Sequence, residues 1–274
     1  MIDSHQHFWI YDQVRHSWIP DEYAAIRRDF LPEDLAPVLL ENQISGCIAV
    51  QAEQTLAETD FLLGLAANSP IVLGVVGWVD LRGNQLEKEL EYYSSFPLLK
   101  GFRHILQGEH ERDAFLRPDF TAGLALLEKY GFSYDILVHA DQLQYIPALA
   151  AAFPGLAFVL DHLGKPDIAS GEISSWKNHM QAIAAFDNVS CKVSGMITEA
   201  DLKNWKPSDL HPYLDTVAAL FGMNRLMYGS DWPVCLAAGS YAAVKDIVLT
   251  HFGTFSDAEQ HAFFNGNVSA FYKL

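Results

Sequence analysis

The chain opens MIDSHQHFWI, and its His5-Gln6-His7 triplet sets two imidazoles two residues apart in a strand-like stretch. Alternate residues of a strand project to one face, so His5 and His7 stand together, about 7 Å apart along the chain. That spacing suits two ligands of one metal ion, or two donors aimed at one substrate oxygen. A pair of core histidines held by backbone hydrogen bonds is the plainer alternative. Asp231, in YGSDWP, closes another apolar run. Beside imidazoles such a carboxylate binds a metal or takes a proton from water; otherwise it caps the following turn. His162 in VLDHLGKP, His139 in YDILVHA and the adjacent Arg103 and His104 in KGFRHIL end similar runs. Arg103 suits a ligand carboxylate or a developing oxyanion.

These residues need elements that bring them together. Eight short apolar, β-branched segments recur, starting near Met1, Gly46, Ile71, Lys100, Tyr134, Leu156, Val189 and Leu226. Most are continuous apolar runs, as in strands of a parallel sheet buried on both faces. Helical patterns lie between them at 32–42, 56–68, 120–131, 145–153 and 212–222, with start signals Thr55 to Glu58 and Ser256 to Glu259 and stop signals at Gly131 and Gly222. Eight strand–helix units without a Pro/Gly-rich linker predict one α/β domain over residues 1–274, a closed (β/α)8 (TIM) barrel. A doubly wound open sheet is the other arrangement, but no GxGxxG follows the first strand.

In a barrel the C-terminal strand ends share one mouth. Those ends carry His5, His7, Gln51, Glu53, Arg103, His104, His139, His162, Lys192 and Asp231. Nothing about core packing sends so many ionisable residues to one rim, so the set predicts a site. Arg103 and His104 cannot both face inward in a regular strand, but a frayed end lets both reach the rim. Lys100 begins its strand and lies near the closed bottom, so a lysine bridging two metals is missing from the mouth. The first connection, from Phe8 to about Phe30, is aromatic-rich and longer than an ordinary βα loop. Trp9, Tyr11, His16 and Trp18 there form either a wall of the pocket or a packing apron on the barrel's outside.

With 274 residues, half of them apolar, the chain can bury a large core, and its formal net charge of -16 excludes polyanionic partners such as nucleic acid and anionic membrane surfaces. No stretch reaches the roughly 18 apolar residues of a membrane span, and no signal region is evident. Cys47, Cys191 and Cys235 are odd in number and widely spaced, which suits reduced thiols in a cytoplasm. The composition is compatible with a homo-oligomer.

DSHQHFW, VGWVDL, GFRH, LDHLGKPDI, CKVSG and MYGSDWPVC, in this order along essentially the whole chain, resemble the sugar-lactonase branch of the amidohydrolase superfamily. The resemblance implies a (β/α)8 barrel with His5, His7 and Asp231 as metal ligands and His162 and Arg103 close by. It implies a hydrolase that opens a small lactone, of the L-fuconolactone or L-rhamnonolactone type, to its hydroxy acid. Asp231 or His162 then moves the water proton, Arg103 and His104 complete the catalytic set, and Gln51, Trp18, Lys192, Trp232 and His139 hold the sugar. One zinc ion is expected at most, and not as a strict requirement, since members of the family work without one. A metal-dependent decarboxylase and an amide or imide hydrolase are the alternatives within the superfamily.

Overall fold

The computed structural model describes residues 1–274. Its eight strands are β1 (Ile2–Gln6), β2 (Gly46–Val50), β3 (Val72–Gly77), β4 (Leu99–Ile105), β5 (Ser133–Leu137), β6 (Phe158–Leu160), β7 (Val189–Val193) and β8 (Leu226–Tyr228). They pair in parallel and in chain order. The last seam is closed by backbone hydrogen bonds just beyond β8: Asp231 donates to His5 O (2.9 Å) and His7 donates to Trp232 O (2.7 Å). The barrel therefore closes through four of the residues that the sequence marks for the site. A register shift between Asp3 and Gln6 accompanies this. Ile2 packs inside the barrel, and the irregularity lets His5 and His7 face inward as well.

Helices α1 (Pro32–Glu41), α2 (Leu56–Asn68), α3 (Leu86–Tyr93), α4 (Pro118–Tyr130), α5 (Ile146–Ala152), α6 (Ser174–Ala184), α7 (Pro207–Phe221) and α8 (Tyr241–His251) surround the sheet, and α9 (Asp257–His261) and α10 (Asn267–Phe271) end the chain. None is long and apolar enough to cross a membrane. Five of them match the helical patterns of the sequence. α3, α6, α8 and α10 have no counterpart among those patterns, although Leu86, Leu90 and Tyr93 form the buried stripe of α3 and Trp176, Met180 and Ile183 that of α6. At α9, Ser256 and Glu259 cap each other reciprocally. At α2, Thr55 accepts from Glu58 N, but the Glu58 carboxylate turns to Ala52 N (2.9 Å) and holds the β2–α2 loop.

Most of the core lies between sheet and helices, a cluster of 69 buried residues. A smaller one fills the barrel: Ile2, Ile48, Val50, Val76, Val159 and Met227, joined by Val268 and Tyr272 from the C-terminus. The C-terminal segment covers the starts of the strands, where Lys100 Nζ donates to Lys273 O and Lys273 Nζ to Gly131 O. The first connection divides between its two readings. Trp9 pairs with Phe30 and packs into the core, its indole N–H on Arg28 O (2.8 Å). Trp18 stays 45% exposed and borders the mouth.

Glu58 carries a prediction. Burial, opposed by the Ala52 N–H, pushes its carboxyl up to about 7 from 4.5. A raised carboxyl contributes stability present below its unfolded pKa and lost as pH rises through the folded value. Glu58→Gln keeps the acceptor and cannot ionise, so from pH 5 to pH 8 it should gain on the wild type by about 3 kcal/mol in urea unfolding. A difference independent of pH would contradict this.

Candidate active site

Strand alternation sends Arg103, Asp135, Asp161 and Lys192 into the barrel, and the irregularity in β1 adds His5; all are buried. Asp161 is the hub. Its Oδ2 accepts from Arg103 Nη1 (3.0 Å), and its Oδ1 lies 3.1 Å from Lys192 Nζ and 3.2 Å from His5 Nδ1. Lys192 also bonds Asp135, which accepts from the Tyr272 hydroxyl (2.8 Å). Burial opposes charge on both carboxyls. The Lys192, His5 and Arg103 charges overcome it at Asp161, whose carboxyl is held well below the usual range, whereas burial wins at Asp135 and raises it to about 6. Arg103 Nη2 is clamped by the carbonyl and side-chain oxygens of Gln51, so only its Nε–H lacks a partner.

Above this layer His5 Nε2 and His7 Nε2 stand 3.2 Å apart, and Asp231 Oδ1 lies 3.4 Å from His7 Nε2 and 3.9 Å from His5 Nε2. The tautomers follow from the partners. His7 Nδ1 faces Val50 O (2.7 Å), which only accepts, so Nδ1 carries the hydrogen. Both ring nitrogens of His5 face a cationic donor, Nε2 the Arg103 Nη1 (3.3 Å) and Nδ1 the Lys192 Nζ (3.2 Å), but only Nδ1 also faces a carboxylate, Asp161 Oδ1 (3.2 Å), and the hydrogen is assigned there. Burial holds the His5 imidazole neutral, far below its ordinary pKa. Three electron-pair donors thus meet with no hydrogen to share, and a cation, whether proton or metal ion, is the partner that satisfies them. Two of their separations, 3.2 and 3.4 Å, lie near the edge of about 3.3–3.4 Å expected for a tetrahedron with ligands at about 2.0–2.1 Å, and the third, 3.9 Å, is longer. His5, His162 and Asp231 also offer ligand atoms within 4.8 Å of one another. The donor set therefore fits a divalent ion.

Local backbone builds the rest of the floor. Gly229 passes so close to His5 that a Cβ there would meet His5 Cβ at 2.8 Å, and Asp231 follows in a left-handed conformation (φ 58°). His162, Leu163, Gly164 and Lys165 form a run of positive φ (54°, 54°, 68° and 51°). Each non-glycine in it costs about 1–2 kcal/mol, the kind of strain kept at functional sites. His162 Nδ1 reaches Ser194 Oγ (2.9 Å), and burial lowers the imidazole to about 4. Burial works against charge on Asp231 too, but the neighbouring His162, His7 and His5 hold its carboxyl well below the ordinary range. A cavity of about 370 Å³ opens above, bordered by His7, Arg103, His162 and Asp231 and walled by Trp18, Tyr23, Leu137, Lys165, Thr198 and Glu199 among others.

The structure thus gathers His5, His7, Arg103, His162 and Asp231, with Trp18 at the wall. Six other expected residues lie elsewhere. His104 faces outward between sheet and α4, as alternation with Arg103 demands, its Nε2 on Glu109 Oε1 (3.2 Å) and its ring against Phe120. Lys192 is sealed beneath His5 and Gln51 is spent on Arg103. Trp232 packs in the core against Phe8 and Phe30 while its carbonyl serves the seam. His139 falls past the end of β5, exposed at the rim, because the strand stops at Leu137. Glu53 turns away to Arg15 (3.2 Å) and His16. The sequence reading passed over Asp161, whose signal was its place two residues on from the inward Val159. It also passed over Tyr23, Lys165 and Glu199, which sit on loops without a periodic pattern.

A barrel with an inward HxH pair on its first strand and an aspartate beyond its last has the site of a water-activating barrel hydrolase. A sequence model of the amidohydrolase family matches residues 2–274, and the chain belongs to that family. It is 39% identical over 284 residues to an L-fucono-1,5-lactonase of Burkholderia multivorans, covering 100% of this chain and 96% of the relative. A second L-fucono-1,5-lactonase, from Burkholderia ambifaria, is 36% identical over 244 residues, covering 88% of this chain and 82% of its own. A crystal structure of a Burkholderia multivorans amidohydrolase with bound zinc superposes with a TM-score of 0.96 at 40% identity, covering 100% of this chain and 99% of its own.

The place of Lys192 is testable. Lys192→Met leaves Asp135 and Asp161 facing each other without their shared cation, and breaking a buried pair this way costs about 3–5 kcal/mol. Urea unfolding should show a loss of that order. An unchanged stability with a raised KM would restore Lys192 to the substrate.

Proposed function

We infer that the protein is a hydrolase that opens a small sugar-derived lactone, of the L-fuconolactone or L-rhamnonolactone type, to its hydroxy acid, with residues 1–274 acting as one unit. The observation that carries this reading is the convergence of His7, Arg103, His162 and Asp231 on one cavity, in a chain 39% identical over its full length to a lactonase. The three buried, unpaired cysteines are in keeping with a reducing cytoplasm.

Lactone opening needs a polarised ester carbonyl, a deprotonated water and a proton for the departing ring oxygen. Asp231 is ionised across the neutral range and borders the cavity, so it accepts the water proton and returns it to the ring oxygen. His162, neutral above about pH 4, orients water or substrate as a hydrogen-bond partner rather than acting as the stronger base. Arg103 is immobilised by Asp161 and Gln51 and borders the cavity, so its fixed positive charge stabilises the oxygen that gains charge. A divalent ion such as zinc, held by His5, His7 and Asp231, would add Lewis acidity toward the carbonyl. Arg103 Nη1 competes for the same His5 lone pair at 3.3 Å, which supports a site that works in part without the ion.

A pH-indicator assay on aldonolactones, amides and β-keto acids tests the reading, since each lactone opened releases an acid. Lactones alone should be turned over, and Asp231→Asn should lower turnover roughly 10²- to 10⁴-fold, the usual worth of a general base. Turnover of amides or keto acids instead would favour the rival hydrolase or decarboxylase. The purified protein should contain at most one equivalent of zinc by elemental analysis, and prolonged chelation should remove only part of the activity. Two equivalents would refute the ligand count. Complete, zinc-reversible loss would refute the ion's dispensability.

A further inference from the structure

The upper wall of the cavity holds an ion pair that the reaction itself does not use. Lys165 Nζ lies 3.1 Å from Glu199 Oε1, with the side chains only 18% and 22% exposed. Lys165 ends the left-handed run that begins at His162, so one backbone feature presents both residues to the cavity. Glu199 is held from the other side by its carbonyl, which accepts from Ala169 N (3.0 Å). The charges bordering the cavity are Arg103 and Lys165 against Glu199 and Asp231. Arg103 is matched beneath the floor by Asp161, and Lys165 is matched by Glu199. Asp231 faces the His5–His7 pair, so no cation of the wall is left over for a substrate anion.

Resting on the lactonase reading above, we propose that the Lys165–Glu199 pair is the specificity-determining element of the mouth, reading adjacent hydroxyls of an uncharged, polyhydroxylated lactone and excluding lactones that carry a free carboxylate. A lysine ammonium has three donors and a carboxylate about four acceptor sites, so the pair keeps spare capacity of both kinds side by side. Neighbouring ring hydroxyls, each able to donate and accept, complement that arrangement. A substrate carboxylate at this wall would have to face Glu199 with neither Lys165 nor Arg103 free to receive it, and like-charge juxtaposition is an effective means of rejection. Trp18 and Tyr23, which also line the cavity, supply aromatic surface for the apolar side of the sugar.

The test compares kcat/KM on L-fucono-1,5-lactone with that on D-glucaro-1,4-lactone, which bears a carboxylate. Wild-type protein should favour the neutral lactone strongly. Glu199→Gln should lose roughly 10- to 100-fold on it, the worth of one hydrogen bond to a charged group, mainly through KM, and should gain on the acid lactone as Lys165 is freed. Lys165→Gln should lose on the neutral lactone without that gain, which separates the proposal from general damage to the wall. An unchanged ratio in Glu199→Gln, or wild-type preference for the acid lactone, overturns this proposal and leaves the lactonase reading standing. Wild-type inactivity on every lactone removes both.

Discussion

The Asp161 carboxylate, wholly buried among Arg103, Lys192 and His5, is the contact on which the rest of the site depends. Two anions and two cations in a barrel interior are expensive to desolvate, and they persist only because each finds several partners. Asp161 serves three of these demands at once. It fixes the guanidinium against Gln51, anchors the ammonium, and turns the His5 ring so that Nε2 points into the mouth. A hydrophobic interior of equal volume would be no less stable, so the charges are understood through the geometry they impose above them.

The same economy appears at the seam. β8 is only three residues long, and the backbone beyond it closes the barrel by bonding to His5 and His7 rather than by extending a strand. Ring closure and assembly of the reactive set are therefore one event, with Gly229 supplying the close approach. The C-terminal segment joins in from below, where Tyr272 fills the interior and donates to Asp135. The first connection joins from above, anchored by Trp9 and ending its traverse of the mouth at Trp18 and Tyr23.

Much of this was legible in the sequence because strand periodicity is legible. The apolar runs placed all eight strands, and the ends of those runs pointed to His5, His7, Arg103, His162 and Asp231. The errors have physical causes. His104 reaches the rim beside Arg103 only if the strand end frays, and β4 stays regular to Ile105, so alternation turns His104 outward. Lys192 and Gln51 do face inward, but whether an inward polar side chain meets substrate or another side chain depends on depth and partners, which spacing does not encode. Asp161 was hidden beside the more conspicuous His162. Lys165, in a left-handed turn, and Glu199, in the loop between β7 and α7, were hidden because neither segment has an apolar period.

The central claim is that the layer beneath the mouth sets the tautomers of the histidine pair. Nitrogen-15 NMR of histidine-labelled protein, with long-range coupling from the ring carbons' hydrogens and assignment by His5→Gln and His7→Gln variants, reads the protonated nitrogen directly. The account predicts hydrogen on Nδ1 of both His5 and His7, with and without one equivalent of zinc, leaving both Nε2 lone pairs toward Asp231. A His5 ring protonated on Nε2, with Nδ1 accepting from Lys192 instead, would contradict it.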